Sequence, residues 1–323
     1  MSAAKTKRRR TLRHPAGPRA VEALVAFIDL LGFSEKVLAV RSAADLERLA
    51  ATIARIQEYF DYRPADETTR EAQAISKTEV LAFSDSVIVS IVLESAATAT
   101  QGEFDVWGSD LNVMAYAQGK AAAAGRFIRG GLDRGLWFHE GDTLVSPALV
   151  RAHRLESSKA KYPVLAVSNS LFEFLRDHPG RKVYSSDLDP FPTMFRSFTD
   201  VADETVHYLN YMQLLLDDVD WQSDRQTVAA YRAASPDEKD DIAREGFRKN
   251  RERFLRDHRD AIVSGYQGAG SDNVRAKYVF LRDYHNEIVD LYFERRNDLK
   301  VSFDDANARR RPPARRVLAR RRK

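Results

Sequence analysis

The stretch Val25-Ala26-Phe27-Ile28-Asp29-Leu30-Leu31-Gly32-Phe33 constrains this chain more than any other. An apolar run carries one carboxylate at its end, followed by a glycine, an aromatic ring and the start of an amphipathic segment. A charge is costly in an apolar strand unless it is paired or bound to a metal. The pattern returns at Val80-Leu81-Ala82-Phe83-Ser84-Asp85-Ser86-Val87-Ile88-Val89, where a strand–turn–strand exposes Asp85 at a hairpin tip. Two acids in strands that can lie side by side suggest a pair of Mg²⁺ ions held for phosphate chemistry.

Around these two stretches the chain alternates strand and helix signals. Glu22 to Ile28 reads as a strand ending at Asp29, and Ser34 as a helix N-cap with Glu35 in the first turn. Helical spacing then runs through Val37, Leu38, Leu46, Leu49, Ile53, Ile56 and Phe60, with a break at Ser42 to Asp45. Pro64 and Asp66 to Glu71 make a surface loop. Ala74 to Val92 is a hairpin joined at Phe83–Ser86. Ser95 to Ser109, with Gly102 and Gly108, is expected as a loop, and Leu111 to Gly125 as a helix. A strand over Phe127 to Leu136 follows, then a helix with Pro147 in its first turn. Tyr162-Pro163 stops that helix, Val164 to Val167 is a strand, and Ser168 caps a helix through Leu175. Thr205 to Met212 is a late strand. Two long helices follow, Pro236 to Gly265 and Asn273 to Asn297. Strands of both kinds of connection, covered by helices, define an α+β class.

The 323 residues, 44% hydrophobic, bury one large core or two modest ones. The absence of cysteine excludes disulfides, thiolate zinc sites and cysteine nucleophiles. The apolar runs are well short of the roughly 20 residues of a membrane span, and the N-terminus lacks a signal core. The expectation is a cytoplasmic protein without a membrane span. The net charge of +4 is unevenly spread. Lys5 to Arg13 is basic and the stretch from Arg309 is mostly arginine, so both tails are expected to be disordered. They touch nucleic acid or anionic surfaces, or simply stay solvated. Neither interleaves aromatic residues, so base stacking is not signalled.

A helix N-terminus after Asp29 offers free amides and a partial positive charge for phosphate. In that reading Asp29 holds metal while the amides of Leu31, Gly32 and Phe33 hold phosphate. Phe27 to Phe33 resembles the first metal motif of class III nucleotidyl cyclases, and Phe83-Ser84-Asp85-Ser86 resembles the second. Arg129-Gly130-Gly131-Leu132-Asp133-Arg134-Gly135 is similar to the strand of that fold that reads R-x-G-I-x-x-G. Ala152-His153-Arg154-Leu155-Glu156-Ser157-Ser158, with Val164-Leu165-Ala166-Val167-Ser168 after it, follows the family's next helix and strand. Within the family, "FSDS", the doubled glycine after Arg129 and Lys161-Tyr162-Pro163 look most like the pyrimidine cyclases of the bacterial Pycsar antiphage system. Asn273 to Tyr278 and Tyr284-His285-Asn286 are similar to that group's C-terminal segment.

The resemblance implies a catalytic domain over 21–222, a mixed or antiparallel sheet covered by helices. A helical extension over 223–305 packs on it, between disordered tails at 1–20 and 306–323. It implies two Mg²⁺ or Mn²⁺ ions per site, held by Asp29, Leu30 and Asp85. The ribose 3′-hydroxyl attacks the α-phosphorus and pyrophosphate leaves. Because both groups share one substrate, fixing their geometry contributes about 7–11 kcal/mol. Arg154 matches the transition-state arginine, whereas the ribose-positioning asparagine is replaced by Val150. Arg151 either supplies some of that function or is a surface residue. Leu81 stands where purine cyclases carry a lysine, which argues against ATP. Tyr59 either meets uracil or is a half-buried core residue. Arg129 contacts phosphate or forms a structural ion pair, and Lys277 reaches polyphosphate or lies on a solvated helix face. His139, His153 and His207 lack metal-ligand spacing and carry no assigned chemistry. The family's sites are composite, so a homodimer is implied, with the metal acids from one chain and Arg154 from the other. UTP is the favoured substrate and cyclic UMP the product, with cyclic CMP from CTP as the alternative. The messenger would act on a separate effector protein. A reading of a different class is a nucleic-acid-binding protein with a degenerate cyclase core.

Overall fold

The computed structural model describes residues 19–60, 78–83 and 85–303. The two basic tails, the loop around Pro64 and the start of the expected hairpin lie outside the described residues. In chain order the first elements are β1 (Val21–Leu30), α1 (Phe33–Leu38), α2 (Ala43–Phe60), β2 (Thr78–Phe83) and β3 (Ser86–Val92). Then come α3 (Ala96–Gln101), α4 (Glu103–Ala123), β4 (Ile128–Glu140), β5 (Thr143–Val145), α5 (Pro147–Lys159), β6 (Leu165–Val167) and α6 (Asn169–Arg176). The last are α7 (Phe191–Met194), β7 (Phe195–Thr199), β8 (Thr205–Leu209), α8 (Tyr211–Asp217), α9 (Arg225–Ala233), α10 (Pro236–Gly268) and α11 (Asp272–Tyr292).

Among the described residues the strands form one sheet in the order β2-β3-β1-β4-β6-β8-β7, with β5 paired to β4. Every pairing is antiparallel except β4 with β6. The fold is therefore α+β with a mixed sheet, as the sequence implies. β1 lies between β3 and β4, and Asp29 sits opposite Ser86 on one neighbour and Arg129 on the other.

Because strand side chains alternate, β1 supplies two cores. Leu24, Ala26 and Ile28 join Ile56 of α2 and Leu111 of α4 in the larger one. Ala23 and Val25 face α5, where they meet Ala148. That helix lies very close to the sheet: a Cβ on Gly131 would overlap the carbonyl oxygen of Ala152. Gly131 is thus required by close approach rather than by backbone angle.

Three expectations need correction. Ser95 to Ser109 is helical, because Ser95 and Thr98 form a reciprocal capping box and Gly102 joins two helices at φ 98°. The late strand ends at Leu209, and Tyr211 already begins α8. The edge strand β7 was not expected; its Phe-Arg-Ser-Phe-Thr pattern alternates over only five residues.

The two C-terminal helices share the main core. Leu255 and Ile262 of α10 and Leu281 and Ile288 of α11 are buried in the cluster that holds Leu111 and Met114. Phe280 stacks on Tyr162 at 4.1 Å, and the Tyr278 and Phe127 rings form a T-shaped pair at 5.5 Å. A fully buried hydrogen-bond chain ties them down: Tyr211 Oη to His258 Nε2 at 2.8 Å, His258 Nδ1 to His285 Nδ1 at 3.0 Å, and His285 Nε2 to the Leu299 carbonyl at 2.9 Å. A carbonyl only accepts, so His285 donates from Nε2 and accepts at Nδ1. His258 must then donate from Nδ1 and accept from the tyrosine hydroxyl. No helix among the described residues is long and apolar enough to cross a membrane.

Candidate functional site

Asp29 shares strand parity with Ala23 and Val25, so its carboxylate lies on the α5 side of the sheet. Phe27, on the same side, meets His153 of α5 edge-on at 4.8 Å. The β2–β3 turn brings Asp85 to the same end, where its charge acts on Asp29. Ser34 Oγ donates to Asp85 Oδ2 at 3.3 Å. Ser34 is therefore not the helix cap expected from sequence. Gly32 is the N-cap of α1, with φ 68° and ψ 21°, a left-handed conformation that glycine takes without a Cβ penalty.

Arg129, directly across from Asp29, joins two acids. Its Nε donates to Asp29 Oδ2 at 3.1 Å, and its Nη2 lies 2.8 Å from Glu156 Oε1 on α5. The second contact is ionic but poorly aligned, leaving Glu156 Oε1 buried without a hydrogen bond; Ser157 Oγ serves the other oxygen at 2.9 Å. Burial raises the Asp29 pKa above its ordinary value. The Arg129 hydrogen bond and charge oppose that rise, and the charges of Glu156 and Asp85 add to it.

The remaining predicted residues divide clearly. Leu30 pairs with Ile128 and buries its side chain, so only its backbone carbonyl has chemistry to offer an ion. The Leu31 amide donates to the Phe127 carbonyl at 2.9 Å and is already committed. This corrects the expectation that it holds phosphate, and the Phe33 side chain is buried in the main core. Arg154 is exposed. Ala148, Ala152 and Glu156 form the buried stripe of α5, and two positions beyond Ala152 is about 200° around the helix. Arg154 therefore points away from its own chain's acids. Tyr59 packs against the other core and lines a cavity of about 860 Å³ with Phe104, Asn112, Tyr116 and Leu214. The sheet separates it from Asp29, because the face that α2 covers is set by packing and cannot be read from its spacing. Arg151 is committed to the buried Asp133 and donates to the Arg134 carbonyl at 2.7 Å.

The sequence reading gave Glu156 no role, and its signal was the small-residue spacing of Ala148 and Ala152, which marks the sheet-facing stripe. Of the histidines, His153 meets Phe27 edge-on, His207 stacks flat on Phe172, and His139 meets Glu79.

Asp29 and Asp85 offer hard oxygen donors, and no group of three or more His, Asp or Glu suited to a metal occurs among the described residues. That donor set fits Mg²⁺ or Mn²⁺, which are commonly held by one or two carboxylates together with substrate phosphates. Bound there, such ions would activate a hydroxyl and neutralise phosphate charge.

The fold and this end of the sheet define an α+β protein with two acids, one arginine and a buried glutamate gathered at the β1 terminus. Solved structures similar to it in fold are nucleotide cyclases and a cyclase-like protein. One is a bacterial light-regulated adenylyl cyclase, 17% identical over 62% of this chain and 95% of that one, with a TM-score of 0.35. Another is the catalytic core of a rhodopsin-guanylyl cyclase with converted specificity in complex with ATPαS, 14% identical over 60% and 97%, TM-score 0.38. A third is a class III adenylyl cyclase-like ATP-binding protein from Pseudomonas aeruginosa, 11% identical over 84% and 72%, TM-score 0.38. No protein-family model matches the chain, and no curated protein matches it significantly.

Proposed function

We propose that this protein is a class III nucleotide cyclase that converts a pyrimidine nucleoside triphosphate, UTP in the favoured reading, to its 3′,5′-cyclic monophosphate and pyrophosphate. The observation that carries this reading is the meeting of Asp29 and Asp85 at one end of the sheet, from sequence motifs that resemble the two metal motifs of the family. Asp29, Asp85 and the Leu30 carbonyl would hold the divalent ions. Arg129 would exchange its hold on Asp29 for a phosphate oxygen. The outward direction of Arg154 supports a composite site in a homodimer, in which each chain lends this arginine to its partner. Phe83, 77% exposed on the same sheet face, supports a covering partner there.

Leu81 supports the pyrimidine reading. It lies opposite Ile88 in the apolar cluster beneath α5, where a lysine that recognises a purine would be expected by resemblance. The antiphage role rests on that resemblance. The test is the full-length protein with each of ATP, GTP, CTP and UTP and Mn²⁺. The expected result is a cyclic product from UTP, with CTP second, falling at least about 100-fold in Asp29→Ala and in Asp85→Ala. No cyclic product from any nucleotide, or a product indifferent to both substitutions, overturns the reading.

A further inference from the structure

The sequence leaves Lys277 between a phosphate contact and a solvated helix face. It stands in the second turn of α11, far along the chain from the two acids. Its neighbour Tyr278 sets its position. The Tyr278 ring meets the Phe127 ring at 5.5 Å, and the Phe127 carbonyl accepts from the Leu31 amide, two residues beyond Asp29. Two residues beyond Tyr278 on α11, Phe280 stacks flat on Tyr162, with an interplanar angle of 3°. A Cβ on Gly265 of α10 would collide with the Tyr278 ring. The turn that carries Lys277 is therefore held by ring packing on both sides.

At that position Lys277 is half-buried and feels the charges of the cluster. Arg129 repels it, while Asp29, Glu156 and Glu35 attract it. Burial is the largest influence, and it pulls the lysine pKa down. Asp29 and Glu156 are already bridged by Arg129. Among the described residues Lys277 makes neither an ion pair nor a side-chain hydrogen bond. A partly desolvated ammonium without a partner is unfavourable, and an arriving polyanion would relieve that. Lysine binds phosphate as a compact point charge with three rotatable donors.

We propose that the C-terminal extension completes the site in cis, Lys277 binding the polyphosphate of the nucleotide from above the Asp29–Arg129–Glu156 cluster. This rests on the cyclase reading for the identity of the substrate, but the chemistry it requires is only recognition of a chain of phosphates. The extension is then part of the catalytic unit rather than a scaffold beside it.

The test is calorimetric binding of inorganic tripolyphosphate to the full-length protein in excess Mg²⁺, alongside steady-state kinetics with UTP. Lys277→Ala should weaken tripolyphosphate binding about tenfold or more, with an unchanged melting temperature. Lys277→Arg should bind within a few-fold of the parent, and Lys249→Ala, an exposed lysine on α10, should bind as the parent does. In kinetics the alanine variant should raise KM far more than it lowers kcat. Tripolyphosphate binding that depends on Lys277 in a protein without cyclase activity would retain this inference and sink only the cyclase reading. Binding unaffected by Lys277→Ala, or no binding by the parent protein, overturns it.

Discussion

Arg129 is the residue on which the cluster balances. Its guanidinium is about one quarter exposed, but the Glu156 side chain it faces is only 4% exposed. Removing one partner of such a pair leaves a buried charge uncompensated. Arg129→Ala should therefore cost about 2–4 kcal/mol, the partial exposure holding it to the lower part of the usual range. Adding Glu156→Gln should recover much of that loss. Urea unfolding of both variants checks this, and a double variant no more stable than the single one would count against it. At this scale the sequence was legible in part. The two acids announced themselves because a lone carboxylate in an apolar run needs a reason. Glu156 did not, and Lys277 was left between two readings, because their places depend on contacts made across long stretches of chain. Tyr59 was left between two readings for the same cause, and its core reading is the one that fits: spacing shows that a helix has two faces, but not which face of the sheet it covers.

The elements show how close packing positions that chemistry. Helix α5 carries Glu156 inward and Arg154 outward, and it reaches the sheet only because residue 131 lacks a side chain. Gly131→Ala should push α5 off β4, with a loss of about 1–3 kcal/mol or more. The thermal midpoint and the near-ultraviolet signal of Trp137, whose ring is buried in the same small cluster, would report it. A midpoint equal to that of the parent would refute the packing argument. Strands β1 and β3 were readable as long apolar runs flanked by turns. Helix α3 and the first turns of α4 were hidden by Gly102 and Gly108, read as loop residues, whereas only Gly102 marks a junction. Short edge strands such as β7 carry too few residues for their alternation to stand out.

At the scale of the whole molecule the C-terminal helices are joined to the core by imidazoles held neutral. Burial drives the His258 pKa well below its ordinary value and takes His285 to about 4. Both folded values lie below the unfolded value of about 6.5, so the unfolded chain binds more protons as the medium acidifies. Stability from these groups is complete above pH 6.5 and is lost as pH falls through the interval down to about 4. For His285 that amounts to on the order of 3 kcal/mol. Melting temperature against pH should fall steeply across this window, and His285→Gln should flatten the slope. An unchanged slope would argue against the assignment.

The chain of hydrogen bonds that starts at Tyr211 ends on a backbone carbonyl beyond the last long helix. Leu299 and Val301 are both buried, and Asn286 grips Val301 through its backbone amide and carbonyl, at 2.8 and 3.1 Å. The short coil that carries them works as a wedge that locks the helix pair shut. Clipping the backbone just after Arg296 would strip His285 of its acceptor and uncover the underside of α11, loosening from a distance the turn on which Lys277 stands.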